Sequence, residues 1–271
     1  MEKKGYLQNE EEPYLIDSHS HLEMPDFDED RQEVIQRARK AGVRYFLTVG
    51  THPSDWEAAL RVARRYAEVY SALGIHPHYA SGVGDEMFEQ LKAALKNRKV
   101  VAVGEMGLDF YRDRSPRPVQ IEVFRRQLRI ALDMEIPAII HDREAHKETL
   151  EILKYEGEGR LRGVIHCFSG DPAAAEACLS MGFYISVPGT ITYSRNENLR
   201  RVIAGVPLEK ILVETDCPYL TPEPLRGRQR RNEPANVVRV AETLALLHHC
   251  TVAEVARITS RNVRYLFGIG N

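Results

Sequence analysis

Val100-Val101-Ala102-Val103-Gly104-Glu105-Met106-Gly107 is an apolar run that ends on a glutamate. Residues 100–104 are short enough for a strand and apolar enough to be buried on both faces. A helical pattern follows at residues 119–135, and then a second run, 137–140, that ends in His141-Asp142-Arg143. Working outward, the same unit recurs. Runs at 14–17, 45–49, 69–74, 163–165, 183–187 and 211–214 alternate with amphipathic stretches at 30–41, 55–68, 86–97, 144–155, 172–181 and 196–204. Strict alternation of this kind predicts parallel strands joined by right-handed crossovers. Eight such units in 271 residues predict a closed (β/α)₈ barrel, a fold of roughly 250 residues. An open doubly wound sheet is the rival, but no GxGxxG fingerprint follows the first run. Two more helices are predicted at 233–248 and 251–267, and residues 14–271 form one domain. Residues 1–13 are polar and acidic and are predicted to be a mobile N-terminal extension.

Composition narrows the class. Hydrophobic residues make up 43% and charged residues 28%, an ordinary globular balance with ample material for a core. Formal net charge is −2, so any nucleic-acid binding must come from a local basic patch and not from bulk charge. The four cysteines, Cys167, Cys178, Cys217 and Cys250, are far apart and form no CxxC pair. The first residues lack the apolar run of a signal peptide, and no stretch is apolar enough to span a bilayer. The expected location is the cytoplasm.

In a barrel the reactive groups sit at the C-terminal ends of the strands. The first run ends Asp17-Ser18-His19-Ser20-His21, and side chains two apart on a strand share a side. The fourth ends on Glu105, a carboxylate that is costly to bury unless paired or coordinated. The fifth ends on His141, the sixth on His166, and the eighth in Glu214-Thr215-Asp216. Singly, each has a bland reading as a hydrogen-bonded or ion-paired residue. Jointly, they gather histidines and carboxylates at one end of five strands. A mixed nitrogen and oxygen donor set suits zinc, manganese or iron. Six donors exceed one tetrahedral site with an open position. They fit two ions about 3.5–4 Å apart that share a carboxylate.

Five segments, in order, resemble the successive signatures of the TatD-type deoxyribonuclease family of the amidohydrolase superfamily. They are Asp17-Ser18-His19-Ser20-His21-Leu22, Gly74-Ile75-His76-Pro77-His78, Gly104-Glu105-Met106-Gly107-Leu108-Asp109, His166-Cys167-Phe168-Ser169-Gly170 and Glu214-Thr215-Asp216-Cys217-Pro218-Tyr219-Leu220. The resemblance implies one divalent ion on His19, His21, Glu105 and Asp216, and a second on Glu105, His141 and His166, with Glu105 bridging. The ions would be drawn from zinc, manganese, magnesium and iron. It also implies hydrolysis of DNA phosphodiesters, as a 3′-to-5′ exonuclease on single strands. Asp216 and Glu105 are the expected catalytic residues. Glu214 is expected to orient a ligand histidine or water. Three departures stand out: the extension at 1–13, Cys217 where serine is common, and a basic stretch from Arg226 to Pro234 two residues longer than the family pattern.

Substrate contacts are expected from His76, Arg143, Arg228 and Arg231, since arginine forks match phosphate oxygens. The bland alternatives are a structural histidine, an Arg143–Asp142 pair and a solvated loop. Phe110, Tyr111 and Tyr193 are candidates for stacking on bases, with packing the better reading of each singly. Two other functions remain open at this level. One is hydrolysis of a different ester or amide, such as aminoacyl-tRNA, on the same site. The other is metal binding without turnover.

Overall fold

The computed structural model describes residues 12–270. Of the expected extension, residues 1–11 lie outside the described residues. Among the described residues there are eight strands: β1 (Leu15–Ser20), β2 (Val43–Gly50), β3 (Val69–Leu73), β4 (Val100–Asp109), β5 (Ala138–Arg143), β6 (Gly163–Ile165), β7 (Tyr184–Val187) and β8 (Ile211–Val213). All neighbouring pairs are parallel and follow sequence order from β1 to β8. Helices α1 (Arg31–Lys40), α2 (Pro53–Arg65), α3 (Asp85–Leu95), α4 (Arg117–Asp133), α5 (His146–Gly157), α6 (Pro172–Ser180) and α7 (Glu197–Ala204) fill the crossovers. Then come α8 (Val237–Leu247) and α9 (Val252–Phe267). The architecture is the (β/α)₈ barrel.

The seam between β8 and β1 closes by a different kind of bonding. The Asp216 N–H donates to the His19 carbonyl at 2.9 Å, and the His21 N–H to the Cys217 carbonyl at 2.8 Å. The Asp17 carboxylate accepts from the Thr215 N–H at 2.9 Å and its hydroxyl at 2.6 Å. The Ser18 hydroxyl donates to the Val213 carbonyl at 2.9 Å. Buried groups left unpaired here would cost free energy, so these bonds hold the barrel shut.

The side-chain period of two on each strand separates two cores. Ile16, Leu47, Ala72, Ala102, Ile139 and Leu212 point inward and form one cluster with Val263, Leu266 and Phe267 of α9. The alternate residues, such as Phe46, Val103, Ile140 and Val213, pack outward against the helices. Helix α9 starts with a capping box, Thr251 with Glu254. The Ser260 hydroxyl donates to the Tyr14 carbonyl, next to the start of β1, and Asn262 donates to the Ile211 carbonyl at the start of β8. The last helix therefore covers the N-terminal end of the barrel and leaves the C-terminal end open.

Two strands differ from expectation in a way that matters. β4 runs to Asp109, past the expected end at Gly104, and β5 runs through His141 to Arg143. The polar residues expected just beyond these strands are therefore part of them. The pairing slips by one residue between Val103 and Met106, where Gly104 lies at φ 147°. A bulge of this kind turns Glu105 toward the barrel axis. Gly107, at φ 146°, is tighter still: a Cβ there would lie 1.9 Å from the His141 carbonyl oxygen. Only glycine lets β4 lie this close to β5 at that position.

Candidate metal centre

Six side chains named from the sequence converge at the open end: His19 from β1, Glu105 from β4, His141 from β5, and His21, His166 and Asp216 from just beyond β1, β6 and β8. His21 Nε2 lies 3.4 Å from Asp216 Oδ1. His19 Nε2 lies 3.8 Å from the same oxygen and 3.4 Å from Glu105 Oε2. The other oxygen of Glu105 is 2.6 Å from His141 Nδ1 and 3.1 Å from His166 Nε2. Glu105 thus stands between the two halves of the cluster, one oxygen toward each. The His19 and His166 rings stack at 3.8 Å.

The chemistry of this donor set fits divalent cations. Both ring nitrogens of His19 are buried without a hydrogen-bond partner, as is Glu214 Oε2. Buried polar atoms are normally satisfied, and a cation is one partner that would satisfy His19. His19, His21 and Asp216 each place a donor atom within 4.8 Å of the others, and so do His76, Glu105 and His141. Cys167 at φ 48° and Asp216 at φ 53° hold the left-handed conformation, rare outside glycine and typical of functional loops.

Electrostatics agree with this density of charge. Burial alone would raise the Glu105 carboxyl, but His166 and His76 and the hydrogen bonds of His141 and His166 hold it well below the usual range. Burial opposes charge on His21, yet Asp216 and Glu23 raise it well above the ordinary histidine value. His76 goes the other way, lowered to about 4 by burial and by the neighbouring His141.

The surroundings orient these rings, as second partners do around metal-binding histidines. Glu214 Oε1 lies 3.1 Å from His166 Nδ1 and accepts the Cys167 N–H at 2.8 Å. Glu23 lies 3.2 Å from His21 Nδ1, and the Thr48 hydroxyl donates to its other oxygen. Asp109 Oδ2 lies 3.3 Å from His141 Nε2 and 2.7 Å from His78 Nε2, while its Oδ1 takes the N–H groups of Tyr111 and Arg112. Sequence reasoning does not single out Glu23, His78 or Asp109. Asp109 and His78 each carry a signal all the same, as the last residues of segments notable for their histidine or glutamate.

The remaining residues divide. His76 is drawn into the cluster, its Nε2 3.5 Å from Glu105 Oε1. Arg143 is exposed at the end of β5 with its guanidinium 4.6 Å from the Tyr111 ring centre, and Asp142 pairs instead with His146. Arg228 is exposed on the loop between β8 and α8. Arg231 is engaged otherwise than expected: it pairs with Asp30, donates to the Asp26 carbonyl and lies over the Phe27 ring. These contacts tie the arginine loop to the segment before α1. Tyr193 is buried, with its hydroxyl on the Thr221 carbonyl, and so packs as a core residue.

A closed parallel barrel with a histidine–carboxylate cluster at its C-terminal mouth has the build of the metal-dependent barrel hydrolases. Residues 16–268 match the model of the family described as TatD related DNase, and the chain belongs to that family of metal-dependent hydrolases. It is 40% identical over 255 residues to the uncharacterized metal-dependent hydrolase YabD of Bacillus subtilis, covering 94% of this chain and 99% of that one. It is 37% identical over 259 residues to the 3′-5′ ssDNA/RNA exonuclease TatD of Erwinia amylovora, covering 94% and 100%. Among solved structures, YJJV, a TatD homologue from Escherichia coli K12, matches with a TM-score of 0.88 at 36% identity, over 94% and 98% of the two chains. No helix among the described residues is long and apolar enough to cross a membrane.

Proposed function

We propose that this chain is a two-metal phosphodiesterase that removes nucleotides from single-stranded DNA in the 3′-to-5′ direction. The observation that carries the reading is Glu105, with one oxygen toward His19 and the other toward His141 and His166. That is the placement a carboxylate needs to serve two cations at once. His19, His21, Glu105 and Asp216 would hold one ion, and Glu105, His141 and His166 the other. Bound there, the pair would lower the pKa of a water and offset charge on the phosphate oxygens. Asp216, beside His21 in the first half of the cluster, would hold an ion and accept the proton of the attacking water. Glu214 fixes the His166 ring through Nδ1, which leaves Nε2 facing Glu105. His76, Arg143 and Arg228 contact the phosphate backbone. The TatD exonuclease name carried by relatives at this level of identity supports the same substrate class.

The test is digestion of end-labelled oligonucleotides by metal-stripped protein reloaded with zinc, manganese or magnesium. Single-stranded DNA, duplex DNA, RNA and aminoacyl-tRNA are run side by side. The reading requires stepwise shortening of the single strand from its 3′ end that depends on added metal. Turnover of aminoacyl-tRNA in place of DNA would assign the same site to another ester.

A further inference from the structure

Large aromatic side chains at the surface of a folded chain are informative when they gather beside a site. Two do so here. Tyr79 ends the short turn after β3 and is 44% exposed; Tyr219 follows β8 and is 52% exposed. The Tyr79 ring centre is 6.4 Å from that of His76 and 4.9 Å from that of His52. The Tyr219 ring centre is 6.3 Å from that of His21, and its hydroxyl reaches the Met24 sulfur at 3.7 Å. Each ring therefore sits one side chain out from a histidine of the polar cluster, on loops from different sides of it.

We propose that Tyr79 and Tyr219 are base-stacking residues that flank the cluster and take unpaired nucleobases next to the phosphate being cut. This rests on the reading of the cluster as a nucleic-acid phosphodiesterase and adds what selects the strand. A phosphate held at the cluster leaves its sugars and bases directed outward, toward the loops. The faces available there are aromatic and exposed, and every base has a face that stacks on them without sequence preference. A base inside a duplex is already stacked and paired, and reaching a tyrosine would cost its unstacking. Single strands meet no such cost. Tyr111, exposed on the next loop, differs because the Arg143 and Arg112 guanidinium groups already lie against its ring.

The experiment compares wild type, Tyr79→Ala, Tyr219→Ala, the double alanine variant and both phenylalanine variants. Binding is read by fluorescence anisotropy on a phosphorothioate-linked single strand that resists cleavage. Each probe is made with normal 3′-terminal nucleotides and with abasic ones. Metal content and circular dichroism are recorded for every variant. Each alanine should weaken binding of the normal probe about tenfold, and phenylalanine should restore it. Wild type should bind the abasic probe as weakly as the double alanine variant binds the normal one, with no further loss when the two changes are combined. Equal weakening on both probes, or alanine variants within twofold of wild type, would overturn the proposal. Because binding is read apart from turnover, failure to cleave DNA would count against the phosphodiesterase reading alone.

Discussion

At the residue scale the chemistry turns on which side chains hold cations and which handle the proton. Asp216 is assigned both tasks, and the two separate on substitution. Asn keeps an oxygen that can approach a cation but loses the charge and the basic site. In Asp216→Asn the metals should persist at raised metal concentration, since His19, His21 and Glu105 remain. The rate constant kcat should fall about 10²–10⁴-fold, the usual cost of losing a general base. Recovery to near wild type with added metal would transfer the proton to Glu214 or bulk solvent. His76 poses the matching question. It comes within 3.5 Å of Glu105, although the sequence suggests a place on the phosphate. His141→Ala and His166→Ala should each lose about one metal equivalent per chain by elemental analysis, with the fold retained. His76→Ala should keep both equivalents and raise KM. A drop in stoichiometry would make His76 a ligand.

At the element scale, the loop between β8 and α8 is where expectation and structure part most. In the sequence it reads as one basic patch from Arg226 to Arg231. The fold splits it: Arg228 and Arg230 differ from Arg231, which is bound to Asp30 and the Asp26 carbonyl. The foot of the loop is tied in as well, since Asn232 donates to the Thr215 carbonyl at 2.9 Å. Replacing Arg228 and Arg230 together by Ala should raise KM for oligonucleotides. It should also flatten the salt dependence of binding, by about one slope unit for each phosphate that is no longer neutralised. Arg231→Ala should leave that slope unchanged and lower stability by about 1 kcal/mol, read from urea unfolding. If all three arginines act alike on the slope, Arg231 belongs with the substrate and not with the fold.

At the scale of the whole molecule, the seam between β8 and β1 decides whether the cluster exists. His19 and His21 lie on one side of it and Asp216 on the other, so the donor set assembles only when the barrel closes. Asp17 is the buried brace, and burial raises its carboxyl well above the ordinary value despite two bonds from Thr215. Asp17→Asn keeps an acceptor for the Thr215 N–H and removes a group that resists ionisation, so stability should change little. Asp17→Ala leaves buried Thr215 groups unpaired and should cost about 1–3 kcal/mol of unfolding free energy. The same variant should bind the first metal less tightly in calorimetric titration. A fully stable Asp17→Ala variant would show that the remaining seam bonds, from Asp216, His21 and Ser18, close the barrel without Asp17.

The amino-acid sequence by itself determined the barrel, because eight alternations of a short apolar run with an amphipathic stretch admit few other arrangements. It also determined which residues gather at the mouth, because the ends of apolar runs are local features and mark His19, Glu105, His141, His166 and Asp216 without knowledge of the rest. The tertiary structure alone decided what those residues touch. The bulge that turns Glu105 inward depends on how β4 registers with β5, and a register is a relation between distant segments. Asp109 beside His141 and Glu23 beside His21 become pairings only once the chain takes up its folded path. Tyr79 and Tyr219 are 140 residues apart in the chain, and one ring comes to lie beside His76 and the other beside His21 only in the folded barrel. Local pattern specifies elements and their ends; contacts across a closed sheet follow from geometry that no single window of sequence contains.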